Sequence, residues 1–563
     1  MFRKTAKEHQ STFFFDTDNL LTGKSKDFYL QQDGWHNIFR NQVTMRIDEN
    51  IFRELYAKTM GAPNAPVRTL VAMMVIKEAH GWSDAELFEQ CRFNLLMRSA
   101  LGIFNMDTAL PTESTYYLLR QHVVDYEKIN NKNLIEEAFA SITKGQAAEF
   151  EVSGKSIRMD SKLLGSNIAW FTRYEVVHET LRLYYKELKK TGALPIDKNL
   201  VEQLNTILKE EGSKVVFRHT RDEIKCKLQE LGILIDKLLT ATSLPGSQSY
   251  QTLCRVFTQQ YRIDENKLLI TRDKEEITSD SIQSPHDIDS HYRNKDGNQV
   301  KGYSINLTES CDKEELHLIS HADVRPVSAA DNNFLEDGVK QSQEIFTGDI
   351  ENLHADGAYQ SPENQSYCKE EEINFYLTGM HGAQGRYDLL LAEDGGLVVT
   401  DTVTGEIIAT KKLKGQEKWG VRIPGRNRYF THKEIEACAL RKQIEDFPAT
   451  VKNVRNNVEA TIFQFGYHYP NDKSRYRGLS KHKMWANIRC LWVNFARILK
   501  YIKKSLLPAA QECKTNNGFV NSIDKRLLSE LFFVFNSITA LFCPSYLFPH
   551  RKHFFLPIFK NDF

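Results

Sequence analysis

The segment LHADGAYQSPEN, residues 353–364, contains the feature that decides how the chain folds. The apolar residues Leu353 and Ala355 come shortly before Asp356, and Gly357 follows it directly. Asp-Gly ordinarily marks a turn, but here a predicted strand ends and a predicted helix begins. A carboxylate at a strand end faces the edge of a sheet, where α/β folds bind their ligands. We therefore predict an α/β core in which Asp356 has a chemical role.

The segments on either side of this carboxylate predict the rest of the core. Residues 157–160 (IRMD) alternate apolar and charged side chains, as a half-buried strand does, and further strand patterns occupy 299–310 and 315–324. Helical periodicity fills 175–285, and β-branched runs with Gly-containing turns fill 376–433. We therefore expect a helical insertion and a β-hairpin insertion in the core.

The chain as a whole, with 563 residues, is too long for one hydrophobic core. Residues 1–145 have helical periodicity, and one helix starts at a capping-box pattern formed by Ser83 and Glu86. We assign residues 146–505 to the α/β core with its two insertions. The remaining residues, 506–563, are expected to form a C-terminal tail.

The distribution of charge is uneven along the chain. The formal net charge is only +1, but the segment Arg441–Lys504 contains fourteen Lys and Arg against four Asp and Glu. The rest of the chain therefore carries a net charge of about −9. Such asymmetry favours a polyanion-binding segment, although a solvated surface helix would produce a milder version of it.

Cysteine usage and hydropathy exclude other classes of protein. The nine cysteines are scattered without a CxxC pair, which argues against zinc or a disulfide framework and suits a reducing cytosol. The most apolar run, Leu531–Cys543, is too short to span a bilayer, and the N-terminus has no apolar stretch typical of a signal peptide. We expect a cytoplasmic protein that does not enter a membrane.

A predicted helix near the C-terminal end of the core contains a further carboxylate. Its residues Lys452, Arg455 and Glu459 lie three and four positions apart and therefore share one face. Arg455 and Glu459 could form an ordinary surface ion pair contributing about 0.2–0.5 kcal/mol. Asp160 could equally cap the segment after its strand, and Asp356 could be a turn former.

Taken together, these carboxylates fit a more specific interpretation. Asp160 and Asp356 end predicted strands, and Glu459 lies on a helix, so rigid elements hold all three. Mg²⁺ prefers carboxylate oxygens, and two such ions can stabilise the attacking and leaving oxygens of an in-line phosphoryl displacement. The basic segment would hold the phosphate backbone of a nucleic acid.

Three sequence blocks resemble the Asp-Asp-Glu signature of bacterial insertion-sequence transposases. They are IRMDSKLLGSNIA with Asp160, HADGAY with Asp356, and RNNVEATIFQF with Glu459. Residues 287–310 and 477–498 are similar to the second-strand block and to the helix after the Glu. The block that runs from 60 to 102 is similar to the helical domain preceding the core in one large group of these enzymes. The resemblance extends over about residues 40–500.

The resemblance implies an RNase H-like core and the following chemistry. Asp160, Asp356 and Glu459 would be the catalytic residues and would hold two Mg²⁺ ions, with Mn²⁺ also accepted. The substrates would be double-stranded DNA with terminal inverted repeats and a target DNA, bound by a homodimer in a nucleoid-associated complex of the bacterial cytoplasm. The helical domain 1–145 would bind DNA.

The resemblance also implies supporting roles for other side chains. The expected DNA contacts are Arg455, Arg475, Arg477, Lys481 and Lys483. Tyr359, Asp287 and Asp289 lie in family-like blocks, and we interpret them as structural or as supports for the catalytic carboxylates. Aromatic residues are interleaved with the basic ones and could stack on an unpaired base, although such residues more often pack internally; they are Tyr467, Tyr469, Tyr476 and Trp485.

The chain departs from the family pattern at two positions. Related families have a Tyr where Lys452 stands and a Lys where Gly466 stands, which puts strand-end handling in doubt. The β-hairpin insertion also has no cysteine cluster, so we expect no zinc. The alternatives are a non-transposing nuclease with the same core, a decayed copy that binds DNA without cutting it, and a hydrolase that acts on sugars with paired carboxylates.

Overall fold

The architecture is seen in a computed structural model that describes residues 1–5, 16–58, 61–313, 316–380, 382, 385–392, 395–410, 418–423 and 426–505. The elements below belong to one compact unit, Met1–Ile502, apart from the last residues of the final helix. A second unit, Lys503–Phe563, lies almost entirely outside the described residues. The predicted tail 506–563 lies wholly outside them.

The N-terminal part of the chain is helical, as predicted. Helix α4 is buried on every side from Val67 to Ala79, so the neighbouring helices pack around it. Gly81 ends it in the left-handed conformation with φ of 65°, and the predicted capping box of Ser83 and Glu86 starts α5. The helices are α1 Thr17–Leu20, α2 Gly23–Leu30, α3 Trp35–Gln42, α4 Val67–His80, α5 Asp84–Phe93, α6 Leu95–Ala100, α7 Glu113–Asn130 and α8 Leu134–Glu149.

The core sheet is assembled from strands that are distant in the chain. The first strand, β1, precedes a run of helices that have a hydrophobic core of their own. These first elements are β1 Ser156–Gly165, α9 Arg173–Thr191, α10 Lys198–Leu208, α11 Gly212–Arg218, α12 Arg221–Ala241, α13 Gln248–Gln260, β2 Tyr261–Ile263 and β3 Leu269–Thr271. The remaining sheet region comprises β4 His291–Lys295, β5 Asn298–Ser310, β6 Ile319–Pro326, α14 Leu335–Ile345, β7 Asn352–Ala355, α15 Pro362–Glu370 and β8 Asn374–Leu377.

The order of the strands is β4-β5-β1-β7-β8, and β6 also pairs with β5. Strand β1 is antiparallel to β5 and parallel to β7, and β7 is parallel to β8. In this six-stranded sheet the pairings of β5 with β1, β4 and β6 are antiparallel, and those of β7 with β1 and β8 are parallel, which gives the mixed sheet expected of an RNase H-like core. The predicted fold class, an α/β core with a helical N-terminal domain, is confirmed.

The β-rich insertion and two long helices complete the described chain. The insertion has its own small core around Trp419 and Phe430. A capping box of Thr431 and Glu434 starts α16, and Pro448 directly precedes α17. The elements are β9 Tyr387–Leu391, β10 Leu397–Asp401, β11 Ile407–Thr410, β12 Lys418–Ile423, β13 Arg426–Thr431, α16 His432–Asp446, α17 Ala449–Gly466 and α18 Leu479–Ser505.

The length and hydropathy of the helices can be compared with what a membrane-spanning helix requires. Every helix in the described ranges is too short or too polar to cross a bilayer. The apolar run Leu531–Cys543 lies outside these ranges.

The turn that enters β1 depends on a glycine that no other residue can replace easily. Gly154 has φ of +66°, and a Cβ there would collide with ring carbons of Phe346. Gly192, which follows α9, has a similar φ of +71° but open space around it. We expect Gly154→Ala to lower the free energy of unfolding by about 2–5 kcal/mol and Gly192→Ala by about 1–2 kcal/mol, because only the first adds a steric clash to the backbone strain.

Denaturant unfolding of both variants beside the wild type measures this difference. Equal losses would show that the contact with Phe346 relaxes without cost.

Candidate active site

Parallel pairing of β1 with β7 places two predicted carboxylates side by side. Arg158 of β1 is opposite His354 of β7 in the register. Asp160 and Asp356 each come two residues later, so they occupy equivalent positions on neighbouring strands. Side chains two apart in a strand point to the same face, so both carboxylates lie on one face of the sheet. Asp356 directly follows the end of β7, as predicted, but Asp160 does not end its strand: β1 continues to Gly165, which places Asp160 in the middle of β1 beside the end of β7.

Asp356 begins a single 3-10 turn, Gly357–Tyr359, immediately after its strand. Its Oδ1 accepts a hydrogen bond from the backbone N–H of Gly357 at 2.6 Å, and 43% of its side chain is exposed. A Cβ at Gly357 would lie 2.5 Å from the carbonyl oxygen of Gly379. The close passage of the chain after β8 therefore requires a glycine at position 357, while the carboxylate of Asp356 is partly open to solvent.

Helix α17 carries the third carboxylate across the same region. It buries Val458, Thr461 and Phe465, and it packs across β1, β7 and β8. Arg455 and Glu459 lie on its adjacent face, where Glu459 has 68% of its side chain exposed.

The guanidinium of Arg455 lies among all three carboxylates. Its Nη2 is 2.7 Å from Oδ2 of Asp160 and 3.8 Å from Oδ2 of Asp356, and its Nη1 is 3.6 Å from Oε1 of Glu459. The simple alternative, an isolated surface pair between Arg455 and Glu459, therefore does not describe the site. Residues separated by about 300 positions in the sequence converge on one cation.

Burial distinguishes Asp160 from the other two carboxylates. Only 12% of its side chain is exposed, and its Oδ1 accepts a hydrogen bond from the N–H of Ser161 at 2.8 Å. Burial raises the pKa of Asp160, while Arg455 opposes that increase. Beneath it, burial and then the nearby Asp160 raise the pKa of the Tyr359 hydroxyl well above its ordinary value, so Tyr359 is a neutral, packed support.

The three carboxylates are suitable ligands for a divalent metal ion, but the distances between them are too long for one ion to bind all three. Carboxylate oxygens are the ligands that Mg²⁺ prefers, and the contacts to Arg455 show that a cation is already stabilised among them. Within the described ranges, however, no group of three or more His, Cys, Asp or Glu side chains is close enough to hold a metal ion as it stands. Side-chain movement of Asp356 and Glu459, the two exposed members, would be needed.

A buried ionic network that the sequence did not reveal anchors α17 to the sheet. Glu309 of β5 is fully buried and accepts hydrogen bonds from Arg158 and Arg497 at 2.6 Å and from Thr461 at 2.8 Å. Burial alone would raise the pKa of Glu309, but Arg497 and Arg158 outweigh it and lower the pKa. Arg158 also donates to the carbonyl oxygen of Val454 at 3.0 Å, one residue before Arg455. The signal in the sequence that could have indicated this network is the presence of opposite charges, Arg158 and Glu309, within two otherwise apolar strand patterns.

The other predicted DNA contacts lie between α17 and α18 and at the start of α18. Arg475 and Arg477 are exposed but donate hydrogen bonds to the carbonyl oxygens of Trp82 and Asn167. Lys483 is 3.8 Å from Glu127 of α7, and Lys481 is half-buried. The structure thus groups these cations on one segment but does not bring them to the three carboxylates, and their contact with DNA stays a prediction.

The predicted supporting carboxylates have clear structural contacts. Asp287 is buried and accepts hydrogen bonds from Tyr303 at 2.6 Å and from the N–H of Gly478 at 2.9 Å. Asp289 accepts one from the N–H of Leu479, the first residue of α18, at 3.3 Å. Both residues therefore hold the start of α18 rather than the carboxylate cluster.

The aromatic residues of this segment mostly pack internally. The hydroxyls of Tyr469 and Tyr476 donate to Glu78 of α4, and Trp485 donates to the hydroxyl of Tyr469 at 2.7 Å. Tyr467 has 43% of its side chain exposed, so base stacking stays open for this residue. The sequence did not indicate that Glu78 links the helical domain to the segment after α17.

Comparison with known proteins supports the resemblance seen in the sequence. Residues 31–122 match the model of a family described as Transposase domain (DUF772). The match contains the block 60–102, on which the resemblance of the helical domain rests, and it is consistent with an insertion-sequence transposase. No curated protein matches the chain.

Proposed function

We propose that this protein is a transposase of the Asp-Asp-Glu type, which cleaves DNA at the ends of its element and joins those ends to a target DNA. The observation that supports it most is the convergence of Asp160, Asp356 and Glu459 on Arg455. The middle of β1, the end of β7 and helix α17 supply these carboxylates, so rigid elements hold all three, as metal-dependent phosphoryl transfer favours. The transposase domain matched at residues 31–122 supports the broader part of this proposal, that the protein is a transposase.

The proposed reaction has two steps at one site. Water attacks a phosphodiester at the element's end and releases a 3′-hydroxyl, and that hydroxyl then attacks a phosphodiester of the target, whose own 3′-oxygen leaves. Mg²⁺ or Mn²⁺ ions, two in number and held by Asp160, Asp356 and Glu459, would supply charge stabilisation for the attacking and leaving oxygens. The chain itself positions the carboxylates on rigid elements, which is the main protein contribution to such catalysis.

The basic residues have complementary tasks in this proposal. Arg455 is close enough to the carboxylates to contact a phosphate held there, and its planar guanidinium suits bidentate binding of phosphate oxygens. Arg475, Arg477, Lys481 and Lys483 would follow the DNA backbone, and the helices of residues 1–145 would recognise the inverted repeats. Two copies of the chain would hold the two ends together.

A supercoiled plasmid carrying the gene with its flanking DNA tests the proposal. We expect the purified protein to nick it only with Mg²⁺ or Mn²⁺, at nucleotides that mark the ends of flanking inverted repeats. EDTA and a plasmid without the flanks serve as controls.

Nicks scattered over both plasmids would indicate a non-transposing nuclease instead. Binding to the ends without nicks at any metal concentration would indicate a decayed DNA-binding copy.

A further inference from the structure

Arg455 has an unusual set of partners for a residue that is meant to contact DNA. Among the described residues, the charged groups it touches are the three carboxylates of the site, at 2.7, 3.6 and 3.8 Å, and only 17% of its side chain is exposed. Its Nε is buried and has no hydrogen-bond partner within the described ranges. The guanidinium is thus held in place by the carboxylates and not by other parts of the fold.

The position of this guanidinium conflicts with a divalent ion at the same oxygens. Oδ1 of Asp160 and Oδ1 of Asp356 each accept a hydrogen bond from a backbone N–H, so the oxygen left for a metal ion on each residue is the Oδ2 that Arg455 contacts. Two cations at this separation repel each other. The exposed carboxylates of Asp356 and Glu459 can turn, but they are drawn towards Arg455 as long as it stays. Metal entry therefore requires that the guanidinium leave the cluster.

Helix α17 does not depend on Arg455 for its position. Thr461 binds Glu309, the carbonyl oxygen of Val454 accepts a hydrogen bond from Arg158, and Val458 is completely buried. Arg455 can consequently move without displacing the helix that carries Glu459. The ion pairs around Arg455 are better explained by a role in the site than by a role in holding the fold together.

We propose that Arg455 closes the carboxylate cluster to divalent ions in the DNA-free protein and is released when a DNA phosphate binds its guanidinium. This inference rests on the proposed function and concerns the regulation of the same site. Phosphate offers the guanidinium two oxygens in a matching geometry, so DNA competes with the carboxylates for Arg455. Coupling of this kind is reciprocal: DNA favours metal binding and metal favours DNA binding.

The test begins with the DNA-free protein and Mn²⁺ alone. Isothermal titration gives the Mn²⁺ affinity of the wild type, of Arg455→Gln and of Lys452→Gln. Lys452 lies on the same helix, one turn earlier, and binds the carbonyl oxygen of Glu445 instead of the cluster, so its substitution removes one nearby positive charge without opening the site. We expect Arg455→Gln to bind Mn²⁺ about tenfold more tightly than the wild type, a change within the usual range of coupling between sites. The Mn²⁺ affinity of Lys452→Gln should differ from that of the wild type by less than about twofold.

A second measurement tests the role of DNA. The affinity for a short duplex carrying the element's end is measured with and without Ca²⁺, and the duplex is checked to be uncut. We expect Arg455→Gln to weaken DNA binding about tenfold more with Ca²⁺ than without it, because the ion frees Arg455 for the phosphate in the wild type. Arg455→Lys keeps the positive charge but loses the planar guanidinium that can bind two phosphate oxygens. Its values should fall between those of the wild type and Arg455→Gln in both measurements.

The outcomes separate this inference from the proposed function. If the wild type binds Mn²⁺ and Arg455→Gln binds it equally or more weakly, the inference is overturned while the metal site stands. If neither protein binds Mn²⁺ with or without the duplex, the proposed metal-dependent function itself fails. An equal effect of Arg455→Gln on DNA affinity with and without Ca²⁺ would overturn the release by DNA. Thermal unfolding of each variant shows beforehand that it is folded.

Discussion

Asp160→Asn and Asp356→Asn are each expected to abolish metal-dependent DNA cleavage, with a loss of at least about a thousandfold. Each substitution removes one negative charge and one metal-binding oxygen from the cluster while keeping the shape of the side chain. A metal ion acting as a Lewis acid contributes several kcal/mol to the stabilisation of a transition state, and about 4 kcal/mol corresponds to a thousandfold change in rate.

Both variants should remain folded and should still bind the element's ends. The hydrogen bond from the N–H of Ser161 to Asp160 can be accepted by an amide oxygen, and the exposed side chain of Asp356 carries little of the packing. Quantitative nicking of the plasmid, together with a gel-shift measurement of end binding, distinguishes lost chemistry from lost binding.

Glu351→Gln is a matched control for these substitutions. Glu351 lies just before β7, five residues from Asp356, and forms an exposed ion pair with Lys155 at 2.7 Å. Its substitution removes the same charge from the same strand region without touching the cluster, so cleavage should be unchanged. Cleavage that survived in Asp356→Asn, or that was lost equally in Glu351→Gln, would contradict the assignment of the site.

Glu309→Gln is expected to produce the largest loss of stability, about 3–5 kcal/mol in the free energy of unfolding. The substitution leaves the buried Arg158 and the half-buried Arg497 without their shared counterion, and breaking a buried ion pair by removing one partner costs about this much. The network also fixes α17, so the carboxylate cluster should be disturbed and DNA cleavage reduced.

The control for this second prediction is an exposed ion pair. Glu336 pairs with Lys340 one turn along α14, and more than half of each side chain is exposed. Glu336→Gln should therefore change the free energy of unfolding by no more than about 0.5 kcal/mol. Denaturant unfolding at pH 7 compares the two variants, and equal losses would contradict the structural role of Glu309.

Acidification provides a further measure of the same carboxylate. The folded protein holds the pKa of Glu309 below its ordinary value, so its ionisation stabilises the fold above the unfolded pKa of about 4.3. This contribution is lost as the pH falls through the lower, folded pKa. The difference between wild type and Glu309→Gln should accordingly shrink at acid pH.

The sequence by itself determined many of the elements of this protein and the end of the strand before Asp356. A capping-box pattern located the start of α5, strand alternation placed Asp160 in a strand, and the apolar residues before Asp-Gly placed Asp356 at the end of another. Helical spacing put Arg455 and Glu459 on one face of α17. These features are local, because capping and periodicity depend on residues a few positions apart.

Only the tertiary structure decided which charged groups meet. Arg455 touches Asp160 across about 300 positions of sequence, Glu309 meets Arg497 in the interior, and two tyrosines of the basic segment turn inward to Glu78. In the sequence these residues look like ordinary surface charges and stacking aromatics. A buried charge is stable only beside a partner, and the packing of distant elements alone determines whether that partner is present.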